Sequence, residues 1–137
     1  MSANAKQVAG GHYKTDGIQH WDLVVDHDVF YLEGCATKYL TRFRRKNGLE
    51  DLQKALHYVE KMIEKYARVY RAAGDVPQDT LYTFFLDNGI GGPEREPLSL
   101  IFNWTSVQDL KVARIWVEAL IAEYEGSAPG ASYVNQK

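Results

Sequence analysis

Hydrophobic residues recur at alternating three- and four-residue steps in two long stretches of the chain. The first stretch predicts one amphipathic helix of about 25 residues, with a seam made of Leu49, Leu52, Leu56, Val59, Ile63, Tyr66, Tyr70 and Ala73. The second begins after Ser106, a suitable N-cap with Asp109 three residues later, and its stripe comprises Val107, Leu110, Ala113, Val117, Leu120 and Tyr124. Further apolar residues widen this second stripe, so we expect that helix to contact more than one neighbour.

Shorter patterns predict the remaining elements. A helix over about 30–46 is indicated by apolar residues from Leu32 to Phe43 and ends at Asn47-Gly48. Residues 18–28 predict one or two helical turns, a short helix follows Pro77, and the Gly- and Pro-rich residues 88–97 predict a loop. Because no segment alternates as a strand would, the pattern predicts an all-α bundle of four to five helices, two of them long and amphipathic.

The domain organisation follows from the same pattern. We expect a flexible N-terminal arm over 1–17, a single helical domain over 18–125 and a flexible tail over 126–137. A small bundle cannot cover exposed seams on both long helices alone, which favours a homo-oligomer. No stretch approaches the roughly 20 apolar residues of a membrane span, the first residues do not resemble a signal peptide, and Cys35 has no partner for a disulfide. We therefore expect a soluble cytoplasmic protein with no membrane partner.

Charge is distributed unevenly along the chain. The 137 residues carry 16 basic and 18 acidic side chains, a net charge of −2. That balance argues against a general polyanion binder, so no nucleic-acid partner is expected. Residues 1–73 hold 12 Lys/Arg and 9 Asp/Glu, a net of +3, whereas residues 74–137 hold 4 and 9, a net of −5. A site for a small anion is therefore expected in the first half.

Two groups of residues could carry chemistry. Lys38, Arg42 and Arg45 or Lys46 recur at helical spacing and predict a cationic row for a phosphate chain. Cations at a helix C-terminus also complement its dipole, so a solvated basic face is the alternative. In the second group, aromatic side chains could stack on a nucleotide base and polar side chains could hydrogen-bond its edge, although Trp21 could equally be a core anchor. This group consists of His12, Tyr13, Lys14, Gln19, His20, Trp21 and Asp22. The chain has no P-loop motif, and the spacing of its histidines and carboxylates leads us to predict no bound metal.

An ordered series of motifs resembles the family known as domain of unknown function 3310, which includes a nucleotide kinase of T7-type phages that lacks a P-loop. The resemblance covers about residues 10–64 and is carried by His12-Tyr13, Ile18-Gln19, Trp21-Asp22, Glu33-Gly34, Lys38-Tyr39, Arg42, Lys46, Gly48, Asp51-Leu52, Lys54-Ala55 and Tyr58. His20 stands where the family usually has proline, and Cys35 stands where it usually has asparagine. The resemblance implies an oligomeric, nucleotide-handling phage protein that acts in the host cytoplasm.

The same resemblance assigns roles to individual residues. It implies phosphoryl transfer between (deoxy)nucleotides, with Asp22, Glu33 or Asp51 orienting the acceptor or a magnesium ion. The residues implied in substrate and phosphate binding are His12, Tyr13, Gln19, Trp21, Lys38, Arg42, Arg45, Lys46, Lys54 and Tyr58. No cofactor would be permanently bound; ATP, with Mg²⁺, would be a co-substrate. On this basis Arg42→Ala is expected to abolish nucleotide binding and leave the fold intact.

Two other functions stay open. The same pocket could bind a nucleotide without reacting and sequester a host immune signal, which the replacement of asparagine by Cys35 favours. Alternatively, the protein could be a helical interaction module whose basic face meets an acidic partner.

Overall fold

The structure, a computed structural model, describes residues 17–67 and 75–127 of the chain. Within those ranges every regular element is helical and no strand occurs. The helices are α1 (His20–Asp26), α2 (Tyr31–Arg42), α3 (Leu49–Tyr66), α4 (Gln78–Asp87), α5 (Gly92–Phe102) and α6 (Val107–Ser127). The all-α prediction is confirmed for the described part of the chain, where the bundle has six helices instead of four to five.

The core lies between α2, α3, α5 and α6, which pack on one another in the pairs α2–α3, α3–α6, α5–α6 and α2–α5. Both long stripes contribute to it. Leu52, Val59 and Tyr66 of the predicted α3 seam are buried, and Leu110, Val117 and Leu120 of the α6 stripe are buried as well. The seams are thus largely covered within one chain, and homo-oligomerisation stays a prediction. No helix of the described ranges is both long and apolar enough to cross a membrane.

Two boundaries differ from the sequence-based prediction, and a third lies partly outside the described residues. Residues 92–97 were predicted as loop, yet α5 starts at Gly92. Pro93 lies in its first turn, where a missing N–H costs nothing, and Pro97 gives up one intrahelical hydrogen bond only a turn later. In α3, residues 68–73 of the predicted helix lie outside the described residues.

The second difference concerns the end of α2 and affects the site. The α-helix ends at Arg42 and tightens into a 3₁₀ turn over Phe43–Arg45 instead of continuing to about residue 46. Gly48 then reverses the chain with a φ of 54°, a conformation that disfavours side chains. A Cβ at Gly48 would also approach the hydroxyl oxygen of Tyr124 to 2.6 Å. This tight reversal sets α3 against α2 and brings polar residues of the two helices together.

Candidate functional site

A group of aromatic and cationic side chains lies where α2 packs on α3. We call Lys38, Tyr39, Arg42, Lys54 and Tyr58 the Tyr39 cluster. The rings of Tyr39 and Tyr58 are stacked, with centroids 6.0 Å apart and planes inclined by 19°. Lys38 Nζ lies 4.7 Å, Arg42 Cζ 4.7 Å and Lys54 Nζ 5.4 Å from the centre of the Tyr39 ring. Three cations from two helices therefore surround one aromatic ring, and each interacts favourably with its π electrons.

The three cations differ in their ion pairs. Arg42 is buried and donates from Nε to Asp51 Oδ2 at 3.2 Å and from Nη2 to Asp51 Oδ1 at 3.3 Å. Asp51 is fully buried and also accepts the backbone N–H of Asn47 at 3.2 Å. Arg42 and Asp51 thus neutralise each other inside the protein.

Lys38 and Lys54 are placed differently. Within the described ranges Lys38 is half-buried and has no carboxylate within salt-bridge distance. Lys54 is 45% exposed, and its Nζ lies 3.9 Å from Glu50 Oε2, whose side chain is 63% exposed. Such an exposed pair contributes little to stability, so an anion could replace Glu50 at small cost. These two lysines are the cations of the Tyr39 cluster that a solvent-borne anion can reach.

Neutral polar groups continue the cluster towards the start of α2. Burial, and then the Cys35 thiol and the Tyr31 phenol, raise the pKa of Tyr58 to about 12. The Tyr58 phenol therefore stays protonated at neutral pH and keeps its O–H donor. Tyr31 and Tyr39 were not among the predicted site residues, although Tyr31 lies seven residues before Lys38 on α2 and Tyr39 belongs to the motif Lys38-Tyr39.

The other two predicted carboxylates are engaged in local structure. Glu33 is buried; its Oε1 accepts Tyr66 Oη–H at 3.0 Å and its Oε2 accepts Trp104 Nε1–H at 3.0 Å. Asp22 lies in the first turn of α1 and accepts the backbone N–H of Gln19 at 2.8 Å. The structure therefore does not bring Asp22, Glu33 and Asp51 together around one open space.

The predicted cationic row runs from α2 into the 3₁₀ turn that follows it. Side chains three residues apart in such a turn eclipse one another, so Arg45 still follows Arg42, and Arg45 and Lys46 are both exposed. Arg44, in the same turn, forms a bidentate pair with the buried Glu94 of α5, with Nε–Oε2 at 3.0 Å and Nη2–Oε1 at 3.1 Å. The row from Lys38 to Lys46 therefore stays a prediction, and Lys54 of α3 supplies a further cation near Tyr39.

The predicted base-binding group is only partly described. His12 and Tyr13 lie outside the described residues. Gln19 is buried at the N-cap of α1, and Trp21 is 48% exposed. The structure thus places Trp21 at the surface and not in the core.

His20 connects α1 to the rest of the bundle. It is buried, and its Nε2 lies 2.8 Å from the hydroxyl oxygen of Thr37. Since that hydroxyl donates to the Glu33 carbonyl at 2.7 Å, His20 Nε2 carries the proton in this contact. Burial, and then the nearby charge of Lys38, lower the pKa of His20 to about 3. His20 is therefore neutral and structural, and in residues 17–67 and 75–127 no group of three metal-ligating side chains occurs.

Comparison with known proteins identifies one family. Residues 8–60 match the family model described as a protein of unknown function (DUF3310). No curated protein and no solved structure matches the chain. The resemblance to this family is therefore confirmed for a segment that contains α1, α2 and the Tyr39 cluster.

Proposed function

We propose that the protein binds a nucleotide through its phosphates, which Lys38 and Lys54 hold at the Tyr39 cluster. The observation that carries this proposal is the approach of both ammonium groups to the same ring from two different helices. Lysine is a common phosphate ligand because its ammonium is a compact charge with three donors. Arg42 and Asp51 form a buried ion pair, neutral overall, beside the two lysines.

Electrostatics favour an anion here. Arg42 is neutralised by Asp51, and the exposed Glu50 only weakly compensates Lys54, so the cluster keeps a positive excess centred on Lys38. The excess agrees with the net charge of +3 over residues 1–73, derived from the sequence. A bound phosphate would gain charge-assisted hydrogen bonds from both lysines, each stronger than a bond between neutral groups.

Of the two nucleotide functions, the carboxylates favour sequestration without turnover. Phosphoryl transfer requires a group that orients the acceptor or a metal ion. Asp22 serves as a helix cap, Glu33 accepts two core donors, and Asp51 is paired with Arg42. We propose sequestration of a nucleotide signal as the function that this arrangement supports best.

Phosphoryl transfer is the second candidate, with ATP and Mg²⁺ as co-substrates. The observation in its favour is the pair of accessible cations on α2 and α3, because such charges stabilise the transferred group. The Tyr58 phenol, which remains protonated, could donate a hydrogen bond to that group.

One experiment separates the candidates. The purified protein is incubated with nucleoside mono- and triphosphates, with Mg²⁺, and with cyclic dinucleotides, then desalted and analysed by chromatography before and after heat denaturation. We expect an unaltered nucleotide that is released only on denaturation. New diphosphate products would instead establish phosphoryl transfer, and a protein that retains and converts no nucleotide would contradict both functions.

A further inference from the structure

Tyr31 is a large aromatic residue that is exposed at the start of α2. It is the first residue of α2, and 74% of its surface is accessible. Among residues 17–67 and 75–127 its ring contacts no other aromatic ring. A large aromatic side chain with open faces is a usual platform for stacking a planar ligand.

The position of Tyr31 on the helix links it to the cationic cluster. Tyr31, Lys38 and Arg42 are seven and eleven residues apart, which places them within about 40° of one another around the helix axis. Along that axis, Tyr31 and Lys38 are about 10 Å apart. Cys35 lies between them on the same face and is half-buried. One row on α2 therefore runs from an open aromatic ring to a cation.

Tyr31 lies beside the rest of the site at its phenol end. Its phenol and the Cys35 thiol are close enough to the Tyr58 phenol to contribute to the raised pKa of Tyr58. Tyr58 in turn stacks on Tyr39, whose ring the three cations surround. Tyr31 is thus adjacent to the Tyr39 cluster through Tyr58.

The geometry points to Tyr31 as the platform on which the base of the nucleotide stacks, with its sugar along Cys35 and its phosphates at Lys38 and Lys54. This inference rests on the proposed nucleotide-binding function and adds the orientation of the ligand. The ring of Tyr39 is a poor alternative because it already stacks on Tyr58 and lies among three cations. Stacking tolerates any base, so purine and pyrimidine triphosphates should bind with similar affinity.

The test separates the base from the phosphates. Calorimetry measures the affinities of ATP and of inorganic tripolyphosphate, which has no base, for the full chain and for Tyr31→Ala. We expect Tyr31→Ala to weaken ATP binding about 10- to 100-fold and to leave the tripolyphosphate affinity unchanged. Tyr31→Trp should restore ATP binding. Tyr82→Ala, which removes an equally large aromatic side chain that is 56% exposed on α4, should change neither affinity.

Each unfavourable result has a distinct meaning. If Tyr31→Ala leaves ATP binding unchanged, or weakens ATP and tripolyphosphate equally, the platform is wrong while the phosphate site stands. If the unmodified chain binds neither ATP nor tripolyphosphate, the proposed function itself fails. Circular dichroism of each variant establishes that the helices are intact.

Discussion

Asp51→Ala should lower the free energy of unfolding by about 3–5 kcal/mol, the usual cost of leaving one member of a buried ion pair without its partner. The Asp51 side chain is fully buried and the Arg42 side chain is only 9% exposed, so water cannot replace the lost carboxylate. The backbone N–H of Asn47 loses its acceptor as well. Urea denaturation followed by circular dichroism measures the change.

A double variant provides the control. Arg42→Met combined with Asp51→Leu removes both charges and fills similar volume, so it should recover most of the stability lost by Asp51→Ala. A loss below about 1 kcal/mol for Asp51→Ala would show that Arg42 is solvated. Arg42→Ala would likewise leave Asp51 buried and uncompensated, so we expect that variant to lose stability too, and its effect on binding stays a prediction.

Stability should fall as the pH is lowered from 7 to 5 because of His20. Its pKa is lowered to about 3 in the folded protein, against 6.5 in the unfolded chain, so below pH 6.5 the unfolded state binds a proton that the folded state excludes. The loss is about 1.4 kcal/mol per pH unit, or about 2 kcal/mol at pH 5. This range lies above the usual pKa values of carboxylates, and urea titrations at pH 7 and pH 5 measure the loss.

Substitution of His20 isolates its contribution. His20→Gln keeps a hydrogen-bond donor for Thr37 but does not titrate, so its stability should change by about 2 kcal/mol less than that of the wild type between pH 7 and pH 5. His57→Gln, on the exposed side of α3, should keep the wild-type dependence. An unchanged pH dependence in His20→Gln would show that the folded protein protonates His20 without opening.

The long helices could be predicted because their periodicity extends over many turns. The α3 seam and the α6 stripe include Leu52, Val59, Leu110 and Val117, all buried in the structure. The start of α5 could not be predicted, because Gly and Pro residues usually indicate a loop, whereas here the bidentate pair between Arg44 and Glu94 connects this helix to the turn after α2. A contact fifty residues apart leaves no local pattern.

The site was predictable in part. The sequence indicated Lys38, Arg42, Lys54 and Tyr58, and the structure brings all four together around Tyr39. The burial of Arg42 against Asp51 could not be predicted from the sequence, because burial and pairing depend on how α3 packs against α2. The 3₁₀ turn over Phe43–Arg45 that precedes Gly48 was likewise not indicated by the spacing of the apolar residues.

The affinity for ATP of a variant without the two accessible cations tests the central proposal most directly. Calorimetry at low salt compares the wild type with Lys38→Gln/Lys54→Gln and with Lys61→Gln/Lys65→Gln, which removes the same charge from exposed positions of α3. Two lost charge-assisted hydrogen bonds predict a decrease of about 100-fold or more in the first variant. The second variant should bind ATP about as tightly as the wild type. Equal ATP binding by all three proteins, equal losses in both variants, or no binding by the wild type would contradict the assignment of Lys38 and Lys54 as the phosphate ligands.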